Sequence, residues 1–174
     1  LIEKRLKLFP GDYWALYQLA VFYMKKGDAK KAIESLDRIT SGPKPDARAF
    51  NQKAWYRLYM LPLDLDSAKK ESIKSSKMSG WSNAAHLHTL ATIYSLRGEL
   101  KKAHDTLLQS IKQKNPRDLK RRLCDWLVYG IIAEKSGFEK TAVEAYQRLE
   151  KKGNKSPTSC RSIATRRLKE LRKK

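Results

Sequence analysis

Apolar residues recur at intervals of three and four along most of the chain, and this spacing places them on one face of an α-helix. The pattern also repeats. Seven positions match seven others 71 residues further on without a gap, and a third copy follows 39 residues later. The three copies are Leu16, Leu19, Ala20, Tyr23, Gly27, Ala32 and Leu36; Leu87, Leu90, Ala91, Tyr94, Gly98, Ala103 and Leu107; and Trp126, Tyr129, Gly130, Ala133, Gly137, Ala142 and Tyr146. The offset of 71 leaves room for one further unit, so the chain is predicted to be all-α and repetitive.

Each copy has the pattern of two closely packed helices. In the first copy, Ala20 and Ala32 are small residues that let the two helices approach each other. Gly27 tolerates the left-handed φ that ends a helix, and Asp28 provides an acid where the second helix begins. Pro43 then stops the second helix.

These positions resemble the tetratricopeptide repeat (TPR). The resemblance implies an all-α, TPR-like α-solenoid, in which antiparallel helix pairs stack into a right-handed superhelix. It also implies about four repeats, preceded by the end of a truncated repeat helix and followed by a basic capping helix. The corresponding ranges are 12–45, 47–80, 83–116 and 122–157 for the repeats, which together span 12–157, with 1–9 before them and 158–174 after them.

The second repeat departs most from the pattern. Its small residues, Ala54 and Ala68, lie 14 positions apart rather than the 12 of the first copy, and Pro62 replaces the turn glycine. We therefore predict a turn two residues longer than in the other repeats, and the register of this repeat is left open.

A closer resemblance is carried by 87–94, by 125–134 and by the Ala145-Tyr146 pair. These stretches resemble the C-terminal repeats that follow a transglutaminase-like domain in some bacterial envelope proteins. The Cys/His/Asp core of that enzyme has no counterpart in these residues. The resemblance implies a fragment of a larger bacterial protein in the periplasm or cell envelope, and without it the expected compartment is the cytoplasm.

The TPR resemblance implies a concave groove lined by the first helix of each pair, which receives an extended peptide or a helix. The predicted groove residues are Trp14, Tyr17, Val21, Asn51, Trp55, His88 and Thr92. Aromatic members of this set suit pockets, and polar members suit the backbone of a bound segment. The predicted function is a non-catalytic scaffold for a protein or peptide partner, and the alternative for each aromatic is packing against the next repeat.

The charge suggests a second function. The chain carries 38 Lys and Arg against 18 Asp and Glu, and ten of the basic residues lie in 151–174 with one acid. One interpretation is an anion-docking module that contacts nucleic acid or an anionic membrane. Its predicted residues are Lys151, Lys152, Arg161, Arg166, Arg167 and Lys169. The other interpretation is an ordinary solvated face.

Catalytic motifs are not found in the sequence. His86 and His88 diverge on a helix because they are two residues apart, and no zinc spacing, phosphate loop or nucleophile motif is present. We predict no enzyme activity, metal, cofactor or small-molecule substrate. Cys124 with His88 is conceivable as a nucleophile pair. Cys124 and Cys160 are compatible with one disulfide or none.

Overall fold

The computed structural model describes residues 2–60, 62–114, 123–152, 156 and 158–173, and the regular structure in these ranges is entirely helical. The all-α prediction is thereby confirmed. The helices are α1 (Ile2–Leu8), α2 (Tyr13–Lys25), α3 (Ala29–Thr40), α4 (Ala47–Arg57), α5 (Leu65–Met78), α6 (Ala84–Leu96), α7 (Leu100–Lys112), α8 (Asp125–Lys135), α9 (Glu139–Lys152) and α10 (Cys160–Leu171). The predicted boundaries at residues 1, 116, 122, 157 and 174 lie outside the described residues.

The chain divides into two compact units, residues 1–81 and 82–174. In the first unit, α2 packs on α3 and α4 packs on α5. In the second unit, α6 packs on α7, α8 packs on α9, and α10 packs on α9 and α8. Three residues join the helices of most pairs, and a connection this short makes the two helices of a pair antiparallel neighbours.

Local sequence signals set the helix ends. Side chains of Asp or Asn residues cap five helices by accepting a hydrogen bond from a backbone N–H of the first turn, which would otherwise lack a partner. These caps are Asp12, Asp28, Asp46, Asp64 and Asn83. Three helix pairs turn at a glycine in the left-handed region, as the pattern predicts, with φ of 80° at Gly27, 77° at Gly98 and 83° at Gly137.

The small residues of the repeat lie where helices meet. Ala20 and Ala91 are fully buried, and Gly130 is the extreme case. A methyl group at Gly130 would lie 2.7 Å from Cδ1 and 3.0 Å from Cζ of the Tyr146 ring on α9. Since Tyr146 is itself fully buried, glycine is the residue that lets α8 and α9 pack at this distance.

The turn of the second pair differs more than the sequence predicts. Seven residues, 58–64, separate α4 from α5, whereas three separate α2 from α3. The predicted two-residue extension is therefore too small, because α4 also ends two residues earlier than α2 relative to the aligned alanines. The backbone N–H groups of Leu58, Tyr59 and Met60 donate to carbonyls three residues back, which is the tighter winding of a 3₁₀ turn.

The core between α4 and α5 is polar. Lys53 and Ser72 occupy the positions that Leu19 and Leu36 hold in the first pair. Lys53 is only 6% exposed, and Ser72 is fully buried. Ser75, one turn along α5, donates its hydroxyl to the carbonyl of Ala47 at 2.7 Å.

Lys53 belongs to a buried set of charges that we call the Glu71 cluster, which comprises Asp37, Lys53, Arg57, Asp64 and Glu71. Its centre is Glu71, which accepts from Arg57 at 2.8 and 2.9 Å and lies 3.1 Å from the ammonium of Lys53. Arg57 also pairs with Asp64 at 2.7 Å, and Lys53 pairs with Asp37 at 2.5 Å. The cluster therefore joins α3, α4 and α5 of the first unit through ion pairs instead of leucine packing.

Candidate binding surface

The first unit carries five of the predicted groove residues on its first helices, α2 and α4. Trp14, Tyr17 and Val21 follow one another at intervals of three and four along α2, and Asn51 and Trp55 do so on α4, so each set shares one side of its helix. Together with Arg48, one turn before Asn51, we call these residues the aromatic face. Trp14 is 57% exposed, and Tyr17, Val21, Asn51 and Trp55 are half-buried.

Tyr17 joins the two helices of this face. Its hydroxyl donates to the Asp46 carboxylate at 3.0 Å, and the Arg48 guanidinium lies 5.6 Å from the centre of its ring. Burial, followed by the hydrogen bond to Asp46, raises the pKa of Tyr17 well above its usual value. The phenol therefore stays protonated and holds the α2 side of the face against the start of α4.

A second arginine and aromatic pair lies at the start of α2. The Arg5 guanidinium is 5.5 Å from the centre of the Trp14 ring, and its Nε donates to Asp12 at 2.5 Å. The Ala15 backbone N–H, followed by Arg5, lowers the pKa of Asp12. Sequence reasoning missed Arg5 and Arg48, although each lies close in sequence to an aspartate that begins a helix.

Asn51 has an unusual environment on the aromatic face. Its Oδ1 atom is buried and accepts no hydrogen bond from the described residues. Trp55, one turn further along α4, packs edge-on against Tyr59 with ring centres 6.3 Å apart. A buried carbonyl without a donor is rare in folded proteins because it forfeits its hydrogen bond to water.

His88 and Thr92, the predicted groove residues of the second unit, are buried. Thr92 is fully buried and donates its hydroxyl to the His88 carbonyl at 2.9 Å. His88 is 8% exposed, and its Nε2 lies 3.0 Å from the carbonyl oxygen of Cys124. Direct contact between a ligand and these two side chains does not fit this burial, and we leave them out of the proposed site.

The conceivable nucleophile pair of Cys124 and His88 is wrong. Cys124 forms a disulfide with Cys160, which closes the alternative that the sequence left open. The sulfur is therefore not a thiolate, and His88 meets the backbone carbonyl of Cys124 rather than its side chain.

His88 makes the stability of the second unit depend on pH. Burial, followed by the nearby Lys114, lowers the pKa of His88 below 6.5, whereas the Cys124 carbonyl and Asp125 oppose the shift. The unfolded chain therefore binds a proton at this residue before the folded chain does. We expect the free energy of unfolding to fall as pH drops below about 6.5, with a slope of at most about 1.4 kcal/mol per pH unit from this residue. Urea denaturation between pH 7.5 and 5 measures this slope.

The variants His88→Gln and His104→Gln identify the residue responsible. His88→Gln removes the titrating group while keeping a donor for the Cys124 carbonyl, so its slope should be smaller than that of the wild type. His104 is exposed on α7, and His104→Gln should keep the wild-type slope. Equal slopes in all three proteins would contradict the assignment.

The six predicted anion-binding residues differ in their availability. Lys151, Lys152 and Lys169 are exposed, and Arg161 and Arg166 are half-buried. Arg167 is paired with Glu134, to which its Nε donates at 2.9 Å, and its side chain is 17% exposed. The sixth residue of the set is thus held in an internal ion pair.

Metal-binding clusters and membrane-spanning helices are both absent from the described residues. These residues contain no group of three or more His, Cys, Asp or Glu side chains arranged to hold a metal ion. None of their helices has the length and apolar character needed to cross a bilayer.

Comparison with known proteins supports the fold. No protein-family model matches the sequence, and no curated protein sequence matches it. The crystal structure of MamA is similar to this chain, with a TM-score of 0.63 and 19% sequence identity over 99% of this chain and 88% of the MamA chain. At this identity the likeness concerns the fold alone. The chain accordingly has the TPR-like α-solenoid fold that its repeated positions predict.

Proposed function

We propose that the chain is a non-catalytic scaffold that binds a protein or peptide segment on the aromatic face of its first unit. The TPR-like fold supports a protein-interaction role in general. The observation that carries the choice of surface is the buried Oδ1 of Asn51, which accepts no hydrogen bond from the described residues. A backbone N–H of an extended segment would supply the missing donor.

The aromatic side chains beside Asn51 support the same surface. Trp14 is more than half exposed, and Trp55 is partly so. Covering a large apolar side chain stabilises a complex by about 1.5–3 kcal/mol, and tryptophan is enriched among the residues that dominate binding energies. An extended segment could therefore combine backbone hydrogen bonds at Asn51 with side-chain contacts at the two indoles.

Selection from a displayed library of random peptides tests this function for a partner of any sequence. We expect the full chain to enrich peptides whose Kd, measured by fluorescence anisotropy, rises at least about tenfold in Asn51→Ala and in Trp55→Ala. The matched control is Glu34→Ala, at an exposed position of α3 in the same unit, which should leave the Kd unchanged. Failure to enrich any peptide, or peptides indifferent to both variants, would reject the proposed surface.

The anion-docking alternative predicts different behaviour. Binding through the basic residues of the second unit would fall steeply between 50 and 200 mM salt, because counterions are released on phosphate contact. It would also persist in Asn51→Ala and weaken on charge reversal at Arg166 and Lys169. The pairing of Arg167 with Glu134 removes one cation from that surface, so we favour the aromatic face.

We further propose that the chain belongs to the periplasm or cell envelope, as a fragment of a larger bacterial protein related to the transglutaminase-associated repeats. The Cys124–Cys160 disulfide supports this compartment, since disulfides persist in oxidising environments and are rare in the cytosol. Trapping thiols with an alkylating agent in intact cells tests it. A reduced pair would point to the cytoplasm instead.

A further inference from the structure

We infer that the partner of the aromatic face is an acidic peptide, whose carboxylates bind Arg5 and Arg48. This inference rests on the proposed function and specifies the chemistry of its ligand. It is drawn from the two arginine and aromatic pairs that flank the face.

Arg48 is held in place and still has donors to offer. Its Nε and Nη2 donate to one oxygen of Asp46 at 3.2 and 3.0 Å, while its guanidinium stacks over Tyr17. A guanidinium carries five N–H donors in a planar fork. The side chain is 76% exposed, so the donors not directed at Asp46 are open to a second carboxylate.

Arg5 repeats this arrangement at the start of α2. Its Nε donates to Asp12, its guanidinium lies over Trp14, and its side chain is 54% exposed. In both pairs an aspartate and an aromatic ring fix a flexible side chain before any ligand arrives. Fixing the side chain in advance reduces the conformational entropy lost on binding, and the planar fork matches the two oxygens of a carboxylate.

The charge of the first unit favours the same partner. Residues 1–81 contain 16 Lys and Arg against nine Asp and Glu. Several of the acids are already paired within the unit, including Asp12, Asp46 and Glu71. A surface with this balance attracts anionic segments and speeds their association.

Asn51 distinguishes a peptide from a nucleic acid. Its buried Oδ1 can only accept a hydrogen bond. Phosphodiester oxygens also only accept, so a phosphate backbone leaves this atom without a donor. An acidic peptide offers carboxylates to the arginines and backbone N–H groups to Asn51.

Two fluorescein-labelled decapeptides test the inference, one alternating Leu with Glu and the other alternating Leu with Gln. We expect the Glu peptide to bind the full chain at least about tenfold more tightly at 50 mM salt, with the difference shrinking at 500 mM. Arg48→Gln should weaken binding of the Glu peptide about five- to tenfold and leave the Gln peptide unchanged, and Arg5→Gln should act in the same direction.

Arg148→Gln is the matched control. Arg148 also stacks on an aromatic ring, at 4.0 Å from the centre of Trp126, but it lies in the second unit. It should leave both peptides unaffected, and circular dichroism verifies that all the variants remain folded.

The outcomes separate the inference from the proposed function. If the Gln peptide binds as tightly as the Glu peptide and both depend on Asn51, the acidic preference is wrong and the binding surface stands. Binding of neither peptide contradicts the acidic preference, and the library selection then decides the fate of the surface by itself. Tighter binding of a ten-nucleotide oligothymidine that depends on Arg48 would overturn the assignment to a peptide.

Discussion

Replacing Glu71 with glutamine should lower the free energy of unfolding of the first unit by about 3 kcal/mol, because removing one partner of a buried ion pair leaves uncompensated charges. Glu71 contacts both Lys53 and Arg57, whose side chains are 8% and 16% exposed. Neither cation can turn into water without opening the contact between α4 and α5. Hydrogen exchange of the α4 and α5 amides, together with urea denaturation, measures the loss.

Two other variants define the cause of this effect. Glu144→Gln, at an exposed position of α9, should change stability by less than about 0.5 kcal/mol. The triple variant Lys53→Leu, Arg57→Met, Glu71→Leu should be more stable than Glu71→Gln alone, because apolar groups of similar volume leave no buried charge unpaired. A Glu71→Gln protein as stable as the wild type would show that the cluster carries no net stabilisation.

Removing the disulfide should destabilise the second unit by about 2–4 kcal/mol. The bond joins Cys124, at the start of α8, to Cys160, the first residue of α10, across a separation of 36 residues. In the chain-entropy account, freeing a loop of this length returns about 4 kcal/mol of conformational freedom to the unfolded state. Urea denaturation of Cys124→Ser/Cys160→Ser, with and without a reductant, measures the change.

The wild-type protein provides the control for that experiment. A reductant should destabilise the wild type by a similar amount and have no effect on the double variant, and hydrogen exchange should locate the loss in α8 to α10. Retention of full wild-type stability by the double variant would mean that the packing of α10 on α9, through Ile163, Ala164 and Leu168, holds the end of the chain without the covalent bond.

The features that the sequence predicts correctly depend on local chemistry. A turn glycine such as Gly27 needs only its own φ, and a mid-helix alanine such as Ala20 needs only a neighbouring helix at close range. Both requirements follow from a helix pair and recur in each copy, so an alignment of the chain with itself reveals them. The all-α class and the TPR-like fold follow from these positions.

The second pair shows why register is harder to predict. Its polar core places Lys53 and Ser72 where leucines are expected, and the compensating acids come from three different helices. A pattern of apolar residues does not contain this information, because it depends on which side chains meet in three dimensions. The early end of α4 is missed for a related reason, since a 3₁₀ turn leaves no periodic signal of its own.

The candidate site divides in the same way. Spacing along α2 and α4 identifies the residues that share a side of a helix, and five predicted residues lie on the aromatic face. Spacing alone does not show whether another element covers that side. His88 and Thr92 have the same helical phase as Tyr17 and Val21, but they are buried, and the Cys124 carbonyl meets His88.

The contact between Gly130 and Tyr146 bears on how interchangeable the helix pairs are as modules. In the other two matching copies, alanine and leucine occupy these positions, as in Ala20 with Leu36. The larger ring on one helix therefore coincides with the loss of a methyl group on the other, so the two substitutions form a matched set. Anyone who recombines these pairs into longer or shuffled arrays would have to exchange both positions together, since a hybrid carrying alanine beside tyrosine would push its two helices apart.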